Sequence, residues 1–150
     1  MITFSWENNY DQFYAEAETL CKAHWNEVGS HRDVLPFNPR HEVYRHLSRT
    51  GTLKILVARD EKEMVGYFFL IFGPHPRSVE KTLAQDDIIY AKPEYRKHFL
   101  GFRLTKIAAE TAQKHAHIVS FRAKGNRTAF LRRLGFLPRD TICTRIGDLK

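Results

Sequence analysis

The chain has 150 residues, of which 43% are apolar and 27% are charged, and its formal net charge is +7. These values are typical of one folded domain and exclude a disordered chain, while the apolar run at residues 64–72 is too short to span a bilayer. The positive charge favours anionic partners such as a phosphate-rich cofactor, nucleic acid or acidic lipid, without choosing among them.

No repeat, low-complexity tract or linker divides the chain, so we predict one domain over residues 1–150. Hydrophobic periodicity and the positions of Gly and Pro predict the helices and strands. In chain order they are a strand over 2–6, a helix from an Asn8 or Asn9 cap to 28, a helix over 41–49, strands over 53–59, 64–72 and 82–91, a helix over 97–115, a strand over 117–123, a short helix over 126–134 and a strand over 141–146. This order, β-α-α-β-β-β-α-β-α-β, predicts an α/β protein with a mixed sheet.

Cysteine usage and the start of the chain predict a cytoplasmic protein. Cys21 and Cys143 are far apart and have no metal-ligand spacing, which fits a reducing compartment better than a secreted scaffold. The N-terminal residues lack the basic and apolar runs of a signal peptide. We predict no bound metal, because His41 and His46 are five residues apart and do not share a helix face.

The most informative segment is residues 87–104, where a strand leads into the long helix. The polar turn between them opens directly into an amphipathic helix, whose first amides have no partner within the helix. Together with the helix dipole, these amides form a site for anions. Arg96, Lys97 and His98 add positive charge in the same turn. The segment therefore predicts a site that fits a pyrophosphate.

The same segment resembles the acetyl-CoA signature of the GNAT N-acetyltransferases. The matching features are the strand, the run Pro-Glu-Tyr-Arg at 93–96, a turn containing Gly101 and the helix that follows. Residues 131–136 resemble the family's closing helix and Gly-Phe element, and residues 57–67 resemble its second and third strands. The resemblance covers nearly the whole chain and implies the GNAT fold, a mostly antiparallel central sheet that is splayed at the cofactor strand.

The resemblance also implies acetyl-CoA (coenzyme A) as the cofactor. In the family the strand edge pairs with the pantetheine arm, the turn amides hold the pyrophosphate, and an asparagine that opens the last helix contacts the pantetheine. Carried over to this chain, the implied cofactor-binding residues are Ile89, Tyr90, Ala91, Arg96, Lys97, His98, Phe99, Leu100, Gly101, Phe102 and Asn126.

Two positions depart from the family pattern. The turn is commonly Arg-x-x-Gly-x-Gly, but Phe99 stands at the first glycine position; an alternative alignment moves the lost glycine to His98. Many members also place a tyrosine four residues before the Gly-Phe as proton donor to the leaving thiolate, and here that position is Leu131. Both departures bear on catalysis more than on the fold.

The implied reaction, direct attack of an amine on a thioester, needs a group that removes the amine proton. The candidate bases are Asp86 and Asp87, on the strand beside the cofactor, and His24, at the end of the first long helix. The two aspartates alternate in direction along a strand, so one faces the cleft, and we favour Asp87. The alternatives stay open, since both aspartates can be solvated strand-end charges and His24 can be a packed or surface residue.

The first functional hypothesis is an acetyltransferase acting on an amine of a small molecule or a protein, as a monomer or a homodimer. Residues 24–29 and 87–101 look most like small GNAT proteins encoded by bacteriophages. The alternative is therefore a catalytically weak or inactive phage protein that serves as a virion component or binds a host factor, in the host cytoplasm. Nucleic acid ranks below the cofactor as partner of the basic residues between 122 and 139, because no nucleic-acid-binding motif accompanies them.

Overall fold

The computed structural model describes residues 1–147. Its elements are β1 (Ile2–Glu7), α1 (Tyr10–Val28), α2 (His41–Arg49), β2 (Leu53–Asp60), β3 (Glu63–His75), β4 (Ser78–Ala91), α3 (Pro93–Arg96), α4 (Leu100–His115), β5 (Ile118–Ser120) and α5 (Arg127–Arg133). No helix in this part of the chain is both long and apolar enough to cross a membrane.

One five-stranded sheet organises the fold, with its strands in the order β1-β2-β3-β4-β5. Every neighbouring pair is antiparallel except β4 and β5, which run parallel. This pairing is short, because it ends where Gln85 meets Ser120. Within residues 1–147, residues 86–91 of β4 thus have no strand beside them on the β5 side, and we refer to this stretch as the open edge. The predicted mixed sheet, splayed at this strand, is confirmed.

Helices cover both faces of the sheet. On one face α1 and α2 bury a cluster that includes Phe13, Tyr67 and Phe69. On the other, the apolar stripe of α4 packs on β3 and β4. Gly66 permits this close approach, since a Cβ there would lie 3.1 Å from the side chain of Leu104 on α4. The two layers fix the position of β4 between α2 and α4.

The predicted start of α1 is confirmed at Asn9. Its side-chain oxygen accepts hydrogen bonds from the amides of Asp11 and Gln12, at 2.9 and 3.2 Å. These bonds satisfy two of the amides that lack a partner within the helix. The helix ends at Val28, just before Gly29, as the sequence predicts.

The sequence predicts strands over 64–72 and 82–91 with a break after residue 72 that includes Pro74, and this break is wrong. β3 continues through Pro74, which is aligned with Thr82 of β4, and the two strands turn at Pro76 and Arg77. The register shifts between Pro74 and His75, and such an irregularity tolerates a residue that donates no ladder hydrogen bond. The segment 73–81, left outside the predicted strands, is therefore mostly a hairpin.

The predicted last strand over 141–146 is also wrong. Residues 137–147 form neither helix nor strand, and their apolar side chains are exposed, with Ile142 73% accessible. Alternation of apolar and polar residues favours a strand only where one face becomes buried. The predicted strand over 117–123 shrinks to β5, so the edge available for pairing is short.

Candidate active site

A β-bulge in the middle of β4 sets the directions of its two aspartates. Phe68 is aligned with Ile89 and Leu70 with Asp86, so Asp87 and Ile88 together face the single residue Phe69. Asp86 contacts residues near α5, whereas Asp87 contacts α2 on the opposite face. The two carboxylates therefore belong to different environments.

Asp86 is tied into a buried ion pair. Its side chain is 3% exposed, and it accepts hydrogen bonds from Nη1 of Arg127 at 2.6 Å and from the amide of Arg122 at 2.9 Å. Both carboxylate oxygens are thus occupied. This arrangement anchors the segment after β5 to β4, and it leaves Asp86 poorly placed to accept a proton from a substrate.

Asp87 is half-buried and has a single side-chain partner. Its Oδ2 accepts a hydrogen bond of 2.7 Å from the hydroxyl of Tyr44 on α2. Burial and the adjacent carboxylate raise the pKa of Tyr44, so this phenol stays protonated and donates. One carboxylate oxygen remains without a partner among residues 1–147, which gives Asp87 the free acceptor that a base needs.

His24 lies inside an aromatic network on the α1 side of the sheet. Its Nδ1 shares a 2.7 Å hydrogen bond with the hydroxyl of Tyr67, and its ring stacks on Tyr90 with centroids 4.6 Å apart. Burial lowers the pKa of His24 to about 4, with a smaller contribution in the same direction from Arg96. His24 is therefore neutral near pH 7.

The lowered pKa of His24 predicts a pH-dependent stability. Its folded pKa lies below the ordinary value of 6.5. The contribution of His24 to the free energy of unfolding is therefore fully present above pH 6.5 and is lost as the pH falls towards 4. We expect His24 to reduce the free energy of unfolding by about 1–2 kcal/mol between pH 7 and pH 5. Urea denaturation should show a smaller loss for His24→Gln and an unchanged loss for the exposed control His46→Gln. Equal losses in the wild-type protein, His24→Gln and His46→Gln would contradict a lowered pKa of His24.

The side chain of Arg96 turns away from the anion site that the sequence assigns to it. Its Nε donates to the carbonyl oxygen of Ala91 at 2.9 Å, and its Nη2 donates to Glu27, at the end of α1, at 2.9 Å. The guanidinium lowers the pKa of Glu27, and Glu27 also accepts a 2.9 Å bond from the hydroxyl of Tyr90. Arg96 and Tyr90 thus brace the turn against α1.

Fewer amides of the turn lack a partner than the sequence predicts. The amides of His98 and Phe99 already donate to the carbonyl groups of Tyr95 and Arg96. Among the described residues, the amides of the first turn of α4, residues 100–102, have no partner. A Cβ added at Gly101 would meet nothing within 4 Å, so the space beside this residue is open. The exposed Lys97 adds positive charge nearby, and the exposed His98 adds a polar side chain.

Phe99 adopts the backbone conformation that the missing glycine would take. Its φ is 57°, in the left-handed region, and its side chain is 60% exposed. The reversal of the chain at this residue delays the start of α4 to Leu100, three residues after the predicted start. A side chain in this region is strained, and little burial compensates it here.

This geometry predicts an unusual order of stability for two substitutions. Phe99→Gly should be more stable than Phe99→Ala by about 1 kcal/mol, because only alanine keeps the strained Cβ. At the exposed helical position Gln113 the order should reverse, with glycine about 1 kcal/mol less stable than alanine. Urea denaturation of the four variants measures both differences, and the same order at the two positions would contradict the left-handed conformation.

The backbone of β4 presents donors at the open edge. The amide of Lys92 donates to the carbonyl of Val65 in β3. Because antiparallel partners alternate in direction, the amides of Ile89 and Ala91 then point towards the open edge. These are the two amides expected to pair with a pantetheine arm. Asn126 lies just before α5, is exposed and makes no capping bond.

The sequence does not single out three side chains that shape this site, namely Glu27, Tyr44 and Tyr67. It includes Arg122 and Arg127 among the basic residues expected to meet an anionic partner, whereas the structure pairs both with Asp86. One signal was present, since an aspartate at position 86 of a largely apolar strand requires a cationic partner and a basic segment follows. No local pattern marks the tyrosines, which meet their partners only through packing of distant elements.

Comparison with known proteins identifies the family. The model of the Acetyltransferase (GNAT) family matches residues 11–136. No sequence among curated proteins matches the chain.

Solved acetyltransferases share the fold at low identity. An aminoglycoside acetyltransferase from an uncultured soil metagenomic sample, in complex with sisomicin, has a TM-score of 0.74 and 17% identity, with 99% of this chain and 97% of that chain covered. A predicted acetyltransferase with acetyl-CoA from Clostridium acetobutylicum has a TM-score of 0.74 and 10% identity, with 97% and 96% covered. A ribosomal-protein-alanine N-acetyltransferase from Brucella melitensis biovar Abortus has a TM-score of 0.66 and 16% identity, with 98% and 100% covered. The family match spans most of the chain, and the chain therefore belongs to the GNAT family of acetyltransferases.

Proposed function

We propose that residues 1–150 form a single acyltransferase domain that transfers an acetyl group from acetyl-CoA to an amine of a small molecule or a protein. One observation carries this proposal. The open edge of β4 leads directly to the partnerless amides at the start of α4. An extended arm with amides and a terminal pyrophosphate needs this combination of a strand edge and a helix N-terminus.

The residues present fit the acyl donor. The amides of residues 100–102 would hold the pyrophosphate, with the ammonium group of Lys97 nearby, and the amides of Ile89 and Ala91 would hold the pantetheine arm. Asn126 would contact the same arm from the α5 side. Arg96 and Tyr90 would act indirectly, by bracing the turn through Glu27.

The bound donor supplies a thioester, which an amine nitrogen can attack directly. Asp87 would remove the proton from that amine, because its free oxygen lies on the α1 and α2 face beside the bulge. Tyr44 holds the carboxylate in place through its 2.7 Å hydrogen bond. His24, neutral and stacked on Tyr90, would shape the wall of the acceptor site rather than carry charge.

We extend the proposal to the acceptor amine, the cellular location and the oligomeric state. Structural neighbours include an aminoglycoside acetyltransferase and a ribosomal-protein-alanine N-acetyltransferase, so amines of small molecules and of proteins are both candidate acceptors. The unpaired thiols Cys21 and Cys143 support a cytoplasmic location, which would be the host cytoplasm if a phage encodes the chain. A monomer or a homodimer fits this role.

Calorimetric titration with acetyl-CoA, followed by a thiol-release assay with a panel of amines, tests the proposal. We expect saturable binding to one site per chain and thiol release with at least one acceptor class. The panel contains aminoglycosides, amino sugars, polyamines and peptides with a free N-terminus. Absence of binding at millimolar acetyl-CoA would refute the proposal. Binding without release for any acceptor would favour the catalytically inactive alternative.

A further inference from the structure

A buried guanidinium beside the open edge has two donor nitrogens without a partner. Arg127 is 14% exposed and uses its Nη1 for Asp86 and for the carbonyl oxygen of Arg122. Its Nε and Nη2 are buried and have no hydrogen-bond partner among residues 1–147. Buried donors of this kind are rare in folded proteins, and each one requires an explanation.

The position of this guanidinium connects it to the site. It lies 5.6 Å from the ring centroid of Phe68, which is aligned with Ile89 on the open edge, and 5.9 Å from that of Phe121, which follows β5. It thus lies between β4 and the segment after β5, where the two strands separate.

The length of the pantetheine arm would bring the sulfur of the acyl donor next to Arg127. The pantetheine arm spans about four extended residues, roughly 14 Å. A path along β4 from Ala91 back to Asp87 covers roughly 13 Å. If the pyrophosphate lies at the start of α4, next to Ala91, the sulfur therefore arrives near Asp86 and Asp87, beside Arg127.

We propose that Arg127 receives the departing sulfur of coenzyme A, its free N–H groups stabilising the thiolate that forms during acetyl transfer. This inference rests on the proposed function. Asp87 takes the amine proton as the nitrogen–carbon bond forms and the carbon–sulfur bond breaks, and the electron pair stays on sulfur. The guanidinium keeps its own proton and contributes charge and hydrogen bonds.

The neighbouring charges support this assignment. Two guanidinium groups, Arg122 and Arg127, surround the single carboxylate of Asp86 on this face, so the cluster is net positive. Arg122 is the weaker candidate, because its Nη2 already donates to the carbonyls of Asp86 and Asp87 and its side chain is 58% exposed. Asp87, the other charge at this level, lies across the sheet and is bonded to Tyr44.

The positions of Leu131 and Arg127 on α5 also support the assignment of Arg127. Leu131 stands where many relatives carry a tyrosine for the leaving group, and it is a buried apolar residue without a donor. Arg127 precedes it by four residues, one helical turn, and therefore lies on the same face of α5. Its side chain thus lies on the side of α5 from which a residue at 131 would act.

The test measures the pKa of the thiol of bound coenzyme A by thiolate absorbance. Wild-type protein should lower this pKa by about one relative to free coenzyme A, because a cation lies next to the sulfur. Arg127→Met should abolish the lowering, whereas Arg132→Met, an exposed arginine on the same helix, should keep it. The acetyl-transfer kcat should fall in the first variant only.

A second measurement needs no variant, in case Arg127→Met does not fold. Between pH 7 and pH 10, coenzyme A should tighten its binding to wild-type protein about tenfold relative to desulfo-coenzyme A, which has no thiol. Tight binding with an unshifted thiol would overturn the role of Arg127 and leave the proposed function standing. Failure of both ligands to bind would instead refute the proposed function.

Discussion

Asp86→Asn should lower the free energy of unfolding by about 3–5 kcal/mol. The substitution keeps the shape of the side chain but removes the charge that compensates Arg127 and Arg122. Arg127 is then a buried cation without a counter-charge, which costs far more than loss of an exposed ion pair. Urea denaturation at pH 7 measures the loss, which should also loosen the attachment of α5 to β4.

Asp11→Asn is the matched control. Asp11 also accepts hydrogen bonds from an arginine, since Nε of Arg45 lies 2.9 Å from its Oδ2, but both partners are accessible to solvent. We expect a loss of at most about 1 kcal/mol, even with the interaction of Asp11 with the start of α1 included. Similar losses for the two variants would show that Asp86 is not a buried structural charge.

Asp87→Asn should reduce kcat for acetyl transfer by about 10²-fold or more while leaving the affinity for acetyl-CoA within about twofold. Asparagine still accepts the hydrogen bond of Tyr44 but cannot take a proton from the amine. Steady-state kinetics with the best acceptor of the panel and calorimetry with acetyl-CoA separate the two effects.

Two controls sharpen this experiment. Asp140→Asn removes a carboxylate from the exposed C-terminal segment and should leave kcat unchanged. Tyr44→Phe removes the hydrogen bond to Asp87 and should have a smaller effect on kcat than Asp87→Asn, because the base itself remains. A normal kcat in Asp87→Asn would exclude this residue as the base.

The order of the elements could be predicted from the sequence because it depends on local signals. The Asn9 cap, the periodicity of α1 and the polar turn between β2 and β3 are each contained in a few neighbouring residues. Fold class follows from their order. The predicted break at Pro74 is wrong because pairing between β3 and β4, which is not local, outweighs the local tendency of proline to end a strand.

The site could be predicted only in part. The anion site at the start of α4 follows from sequence, because backbone amides at a helix start need no particular side chain. The direction of Arg96 does not, since it depends on Glu27, 69 residues earlier in the chain. Likewise, the choice between Asp86 and Asp87 depends on a bulge that arises from pairing with β3 and is invisible in either strand alone.

The parallel pairing of β4 with β5 has a consequence for the order of folding. The β2–β3 and β3–β4 hairpins join neighbouring segments, so they can form early and quickly. β5 reaches β4 only after the whole of α4 is in place, and the bond between Arg127 and Asp86 spans 41 residues. Such non-local contacts form slowly and late. During synthesis, β4 therefore leaves the ribosome before β5 and α5, and acetyl-CoA would find a complete binding cleft only once α5 has docked.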